Sequence, residues 1–110
     1  MSTDLGTLGR IAIVNRGEPA MRAIHAIREF RLEHDVDLTA VALHTPAERG
    51  AMFVREADDA IEFGAESAGI PYLDLEALEA ALLAARADSV WVGWGFVAEQ
   101  AAFADLCADL

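Results

Sequence analysis

An apolar run that breaks abruptly into a polar, glycine-containing turn occurs twice in this chain, and it constrains the fold more than any other feature. The first run, Arg10–Val14, leads into the turn 15–18 (NRGE), and the second, Ser89–Val92, leads into the turn 93–96 (GWGF). Their length and β-branched content are typical of buried strands. In open α/β sheets, ligands meet the turns that follow the carboxyl ends of strands. The two turns therefore indicate the edge of a candidate site.

Strand and helix patterns alternate along the rest of the chain. Strands are predicted over Arg10–Val14, Leu38–Leu43, Ala60–Phe63 and Ser89–Val92. Helices are predicted over Ala20–His34, from Thr45 to about Glu56, from the N-cap Asp74 to about Ala87, and over Phe96–Leu110. This (β-α)4 order predicts an α/β fold with a parallel sheet, right-handed crossovers and helices on both faces. Short loops predict the spatial strand order 3-2-1-4.

The chain of 110 residues suits one domain, which we expect over residues 10–110 after an N-terminal tail of residues 1–9. Hydrophobic residues make up 55%, and the apolar runs are shorter than the ~18–20 residues of a membrane helix. The single cysteine, Cys107, excludes an internal disulfide. With no signal-peptide pattern at the start, we expect a cytoplasmic location. The chain stops in or just after a helix, and we expect it to be the leading piece of something larger.

The charge composition narrows the function classes. The net charge of −11 argues against binding to nucleic acid or to an anionic membrane. All eight Lys or Arg side chains are arginines. Enzymes that move phosphoryl groups usually place a lysine against the phosphates, so we expect this chain not to be a complete ATP-using enzyme. Codon bias is the simpler cause of the missing lysine, since alanine is also abundant, but the chemical consequence is the same.

Each candidate site has a simpler structural interpretation beside it. The backbone N–H groups of the turn 15–18 favour an anion at a helix start, or merely connect a strand to a helix. The segment 93–98 fits G-x-G-x-x-A, but it follows the fourth strand, whereas the dinucleotide fingerprint belongs to the first. Trp94 lies between Gly93 and Gly95, where it stacks on a flat ligand or packs against another domain. Trp91 is predicted to lie in the core.

A row of charged residues lies on the first predicted helix. Arg22, His25 and Glu29 are spaced to lie opposite the apolar stripe of that helix. They form a solvated face or a self-complementary two-fold interface. The three histidines show no metal-ligand spacing, so we predict no metal site in this chain.

Five blocks, in order, resemble the N-terminal domain of the biotin carboxylase component of biotin-dependent carboxylases. Residues 10–29 resemble the opening pattern of that family, a basic residue and alternating Ile and Val before A-N-R-G-E-I-A-x-R, with Val14 and Pro19 as departures. The other blocks are Val41–Thr45, Arg55–Asp59, Pro71–Asp74 and Trp91–Gln100. The last block resembles both the W-A-G-W-G of eukaryotic acetyl-CoA carboxylases and the Phe-containing bacterial pattern.

The resemblance implies a Rossmann-like domain that precedes an ATP-grasp domain. It implies a parent ligase that uses ATP, Mg²⁺ and bicarbonate to carboxylate biotin on a carrier domain, within an acyl-CoA, pyruvate or related carboxylase. The chain itself is expected to bind none of these cofactors, to be inactive alone and to form one wall of the cleft. By the same resemblance, Gly93, Trp94 and Gly95 lie near biotin, and Arg22, His25 and Glu29 lie at the dimer contact of a homo-oligomeric parent. The alternatives are a free-standing dinucleotide-binding module and a non-catalytic scaffold domain.

Overall fold

A four-stranded parallel sheet forms the centre of the protein. The computed structural model describes residues 9–64, 71–93 and 101–110. The strands are β1 (Arg10–Ile13), β2 (Thr39–His44), β3 (Asp59–Glu62) and β4 (Ser89–Trp91). They pair in the order β3-β2-β1-β4, and every pairing is parallel. The predicted fold class and strand order are therefore confirmed.

Within the described residues, four helices and two short 3₁₀ segments connect and flank the strands. The helices are α1 (Gly17–His34), α2 (Met52–Glu56), α3 (Leu75–Ala85) and α4 (Ala101–Asp109), and the 3₁₀ segments are Pro46–Glu48 and Pro71–Leu73. Helix α1 begins two residues before Pro19, which fits because the first turn needs no N–H from proline. Asp74 caps α3 as predicted, since its side chain accepts the N–H groups of Glu76 and Ala77. The predicted start of the last helix at Phe96 lies outside the described residues.

The prediction of one helix from Thr45 to Glu56 is wrong. The segment divides into the 3₁₀ segment Pro46–Glu48 and helix α2, with Ala51 in an extended conformation between them. The Glu48 side chain folds back and accepts the N–H of Thr45 at 3.1 Å, which closes a tight turn. Gly50 follows, and glycine has the lowest helix propensity after proline, so the turn does not continue as a helix.

The sheet separates two apolar layers. Ala12 and Val14 pack on the α3 and α4 side, whereas Ile13 packs on the α1 and α2 side. This alternation follows from the two-residue period of a strand. The apolar faces of the helices cover these layers, with Ala20, Ala23, Ile24, Leu78, Leu82 and Phe103 buried, and Ile27, Leu75 and Leu106 partly buried against them. Trp91 packs against the α1 and α2 layer but is only half-buried, because β4 is an edge strand.

The carboxylate of Asp58 links α1 to the beginning of β2. Asp58 Oδ2 accepts hydrogen bonds from Arg31 Nη1 and from the N–H of Ala40, both at 2.9 Å. Arg31 Nη1 also donates to the carbonyl of Leu38 at 2.6 Å. Partial burial raises the pKa of Asp58, but the hydrogen bonds from Arg31 and Ala40 lower it by more. The net result is a pKa below the ordinary value.

We expect Asp58→Asn to lower the free energy of unfolding at pH 7 by about 1 kcal/mol, because the amide retains an acceptor for Ala40 and Arg31 but lacks the negative charge opposite Arg31 at a partly exposed site. The folded pKa lies below the ordinary 3.8, so the contribution is present above that value and is lost as the pH falls through the folded pKa. Urea unfolding of both proteins should therefore show a difference that narrows in acid. Asp37→Asn, at an exposed carboxylate, controls for net charge; an equal effect of both variants would contradict the prediction.

Candidate functional site at the carboxyl edge of the sheet

Three turns meet at the carboxyl edge of the sheet. Asn15 and Arg16 follow β1, Thr45 follows β2, and Gly93 follows β4. β1 lies between β2 and β4, so the turn after β1 is flanked by the other two. Asn15 and Gly93, the first residues of the two turns singled out in the sequence, therefore lie at the same edge.

Asn15 joins the turn after β1 to the turn after β4. Its side chain is almost completely buried, with 3% exposed. Nδ2 donates to the carbonyl of Val92 at 3.1 Å, and Oδ1 accepts the N–H of Arg16 at 2.8 Å. A buried amide needs such partners, since an unsatisfied buried polar group is costly. The side chain therefore holds two backbone segments that are 77 residues apart in the sequence.

Gly93 has a conformation that other residues resist. Its φ is +64°, in the left-handed region. A Cβ at this position would lie 2.7 Å from a ring carbon of Trp91 and 3.2 Å from Asn15 Nδ2. Both the backbone angle and the space therefore require glycine here. Of the predicted biotin-side residues, Gly93 is exposed at this edge, whereas Trp94 and Gly95 lie outside the described residues.

A buried carboxylate ties the turn after β2 to its surroundings. Glu48 is 7% exposed, and its Oε1 accepts from Thr45 N at 3.1 Å, Thr45 Oγ1 at 3.0 Å and Tyr72 Oη at 2.7 Å. Its Oε2 lies 2.6 Å from Arg16 Nε in an ion pair. Sequence reasoning missed this cluster. The signal that could have revealed part of it is the Thr45-x-x-Glu48 spacing, which is typical of a capping box.

Tyr72 completes the cluster from the 3₁₀ segment before α3. Its hydroxyl group lies 2.9 Å from the carbonyl oxygen of Leu43 and 2.7 Å from Glu48 Oε1. Burial raises the pKa of Tyr72, and the hydrogen bond to the Glu48 carboxylate raises it further. The phenol therefore remains protonated and serves as a donor, not as a base.

The electrostatics of the α1 start differ from those of an open anion site. Arg16 is 54% exposed, and it borders a groove together with Gly17, Glu18 and Glu48. The Glu48 carboxylate already neutralises Arg16, and Glu18 adds a second negative charge. The carboxylates of Glu48 and Glu18 thus lie beside the start of α1, and their negative charge weakens the attraction of this helix start for a free phosphate.

Metal and membrane features are absent from the part of the chain that the structure describes. Residues 9–64, 71–93 and 101–110 contain no cluster of three or more His, Cys, Asp or Glu side chains that could hold a metal ion. Within those ranges, no helix is long and apolar enough to cross a membrane.

The predicted interface residues lie on one exposed face of α1. Arg22, His25 and Glu29 are all exposed, which confirms that part of the prediction. Arg22 forms an ion pair with Glu18 one turn earlier, and His25 Nε2 lies 3.4 Å from Glu56 Oε1. The structure thus brings Arg22 and His25 into contacts within the chain itself.

The parallel α/β sheet and its polar carboxyl edge define a class of domains that bind or border ligands at such an edge. The profile of the biotin carboxylase N-terminal domain matches residues 7–110. The chain therefore belongs to the biotin carboxylase N-terminal domain family.

Relatives and solved structures agree with this assignment. The chain is 35% identical to the biotin carboxylase of Nostoc sp. PCC 7120 over 91% of its own length and 21% of the relative. It is 34% identical to biotin carboxylase 1 of Bacillus subtilis over 92% of its length and 21% of the relative. A biotin carboxylase structure from Campylobacter jejuni, a beta-gamma-ATP complex, superimposes with a TM-score of 0.79 at 32% identity, covering 93% of this chain and 22% of that one. The chain thus spans about a fifth of the length of these relatives. Its parallel sheet and flanking helices correspond to the Rossmann-like N-terminal domain of that family.

Proposed function

We propose that this chain acts as the leading domain of an ATP-dependent biotin carboxylase, within a cytoplasmic acyl-CoA or related carboxylase. The family match over residues 7–110 carries the proposal. In the assembled enzyme, ATP and bicarbonate drive carboxylation of biotin on a carrier domain. This domain forms one wall of the active-site cleft and is inactive by itself.

The residues of this chain do not fit a Mg²⁺–ATP site. The sequence contains no lysine to hold phosphates, and the described residues contain no carboxylate cluster for a metal. Arg16, the cation nearest the site turns, is paired with Glu48. These observations favour a downstream ATP-grasp domain as the part that holds ATP and Mg²⁺.

The turn 93–95 is the proposed contact with biotin. Gly93 is exposed at the carboxyl edge and has a left-handed conformation, so the chain changes direction directly before Trp94. An indole offers a flat apolar face and one N–H donor, which suit a neutral ureido ring better than a phosphate. Trp94 is therefore the residue that we assign to biotin recognition.

A chimera tests the proposed function. Residues 7–110 would replace the matching segment of the Bacillus subtilis biotin carboxylase, to which they are 34% identical over 101 residues. We expect biotin- and bicarbonate-dependent ADP release within about tenfold of the unmodified enzyme, a change of about 1.4 kcal/mol. The relative without this segment and the isolated chain should show none. A folded but inactive chimera, or activity of the isolated chain, would contradict the proposal.

Trp94→Ala in the chimera should raise KM for free biotin about fivefold, in keeping with about 1 kcal/mol for an aromatic contact. KM for ATP should not change, because the adenine and phosphates are held elsewhere. Trp94→Phe retains a flat ring and should have the smaller effect. If Trp94→Ala lowers the melting temperature while KM for biotin stays constant, the tryptophan supports packing and not recognition.

The exposed α1 face is the proposed contact between two copies of the parent enzyme. Arg22 and Glu29 carry opposite charges on that face, so one patch can pair with its own copy across a two-fold axis. We expect Arg22→Glu in the chimera to lower the mass measured by light scattering toward that of a monomer. Arg55→Glu, an equal charge change at an exposed residue of α2, serves as the control. An unchanged mass would contradict the proposed contact and would mean that these residues only form a solvent-exposed face.

A further inference from the structure

The short edge strand β4 has a side-chain hydrogen bond where its backbone pairing with β1 ends. Val14 N–H donates to the carbonyl of Trp91 at 2.9 Å. The next carbonyl, that of Val92, accepts from Asn15 Nδ2 at 3.1 Å. The Asn15 amide thus continues the attachment of this segment to β1 by one more residue.

Gly93 follows directly and is enclosed by the same side chain. A Cβ on Gly93 would lie 3.2 Å from Asn15 Nδ2, and 2.7 Å from the Trp91 ring on the other side. The backbone at Gly93 is therefore fixed by the hydrogen bond at Val92, by the Trp91 ring and by its own φ of +64°. The direction in which the chain leaves β4 depends on all three.

We propose that Asn15 is a positioning residue for the turn 93–95. Its Nδ2–H group holds the carbonyl of Val92, and thereby fixes the backbone at Gly93, directly before Trp94 in the sequence. The identity of the ligand that meets Trp94 rests on the proposed function; the positioning itself does not.

Asn15→Asp separates two of the hydrogen bonds described for the side chain, the one to Val92 and the one from Arg16. The introduced carboxyl retains an acceptor for Arg16 N–H, but when ionised it has no donor for the Val92 carbonyl. When protonated, its O–H group can replace the lost Nδ2–H group. Burial raises the pKa of a carboxyl group, so mild acid should restore the native turn.

The first test is an NMR titration of the 110-residue chain. In Asn15→Asp, the amide resonance of Gly93 and the indole N–H resonance of Trp94 should shift from near-native positions in acid to new ones at high pH. The apparent pKa should lie above the ordinary value of about 3.9. Among the described residues, the titratable and charged groups at this edge are Arg16, Glu18, His44, Glu48, Arg49, Glu62 and Tyr72. The unaltered chain contains all of them, so its own titration is the blank.

A pair of glycine variants provides a test that does not depend on Asn15→Asp folding. Gly93 and Gly17 have φ values of +64° and +62°, but a Cβ on Gly17 would meet nothing within 4 Å. Gly93→Ala should shift the Trp94 indole resonance, whereas Gly17→Ala should leave it in place. Asn15→Ala should produce a shift like that of Gly93→Ala. If the indole resonance stays native in Asn15→Ala, or moves equally in both glycine variants, the proposal is wrong.

The chimera then distinguishes the positioning role from the proposed ligand. Asn15→Asp should raise KM for free biotin several-fold at pH 8 and less at lower pH, while KM for ATP stays constant. If the NMR resonances titrate but KM for biotin does not move, Asn15 positions the turn and the assignment of biotin to Trp94 is wrong. If the resonances do not titrate, the positioning role itself is overturned.

Discussion

The attachment of β4 to β1 is the interaction on which the candidate site depends. β4 has only three residues, and three pairs of residues define its register with β1. At its amino end, Asp88 Oδ2 accepts the N–H groups of Gly9 and Arg10, both at 2.8 Å. At its carboxyl end, Asn15 Nδ2 donates to the Val92 carbonyl at 3.1 Å. A strand of three residues forms few backbone hydrogen bonds with its neighbour. The side-chain hydrogen bonds of Asp88 and Asn15 therefore extend the attachment of β4 to β1 at both ends.

The Glu48 cluster makes the opposite side of the same edge rigid. A buried carboxylate is costly unless it is paired and hydrogen-bonded, and Glu48 meets that condition through Thr45, Tyr72 and Arg16. These partners belong to the turn after β2, the 3₁₀ segment before α3, and the turn after β1. Together with Asn15, the cluster connects three turns of the edge to one another. Such connections between turns favour the proposed role as one wall of a cleft, which needs groups held in place by their neighbours.

The fold could be predicted from the local sequence pattern and the rules of chain topology. Hydrogen bonds between side chains and groups far apart in the sequence could not. The strand order follows from right-handed crossovers with short connections, and the buried faces of α1 and α3 follow from helical periodicity. Asn15 was recognisable as part of a polar turn, but its bond to Val92 joins residues 77 positions apart. Tyr72 and Glu48 lie 24 positions apart, and nothing in the periodicity pairs them. The split of the helix predicted from Thr45 to Glu56 depends on a different contact of Glu48, which accepts the N–H of Thr45.

The arginines of this domain are mostly paired with carboxylates, which bears on the kind of ligand that its carboxyl edge can attract. Six of the eight arginines form ion pairs with carboxylates among the described residues, and Arg16, the one beside the site turns, is among them. Planar guanidinium groups suit such fixed pairs, and each pair reduces the positive charge that a phosphate would meet. What the carboxyl edge retains for recognition is shape and hydrogen bonding at a turn fixed by Asn15 and Gly93. The proposed biotin contact fits these features, because a flat, uncharged ring is recognised by shape and hydrogen bonds and needs no countercharge.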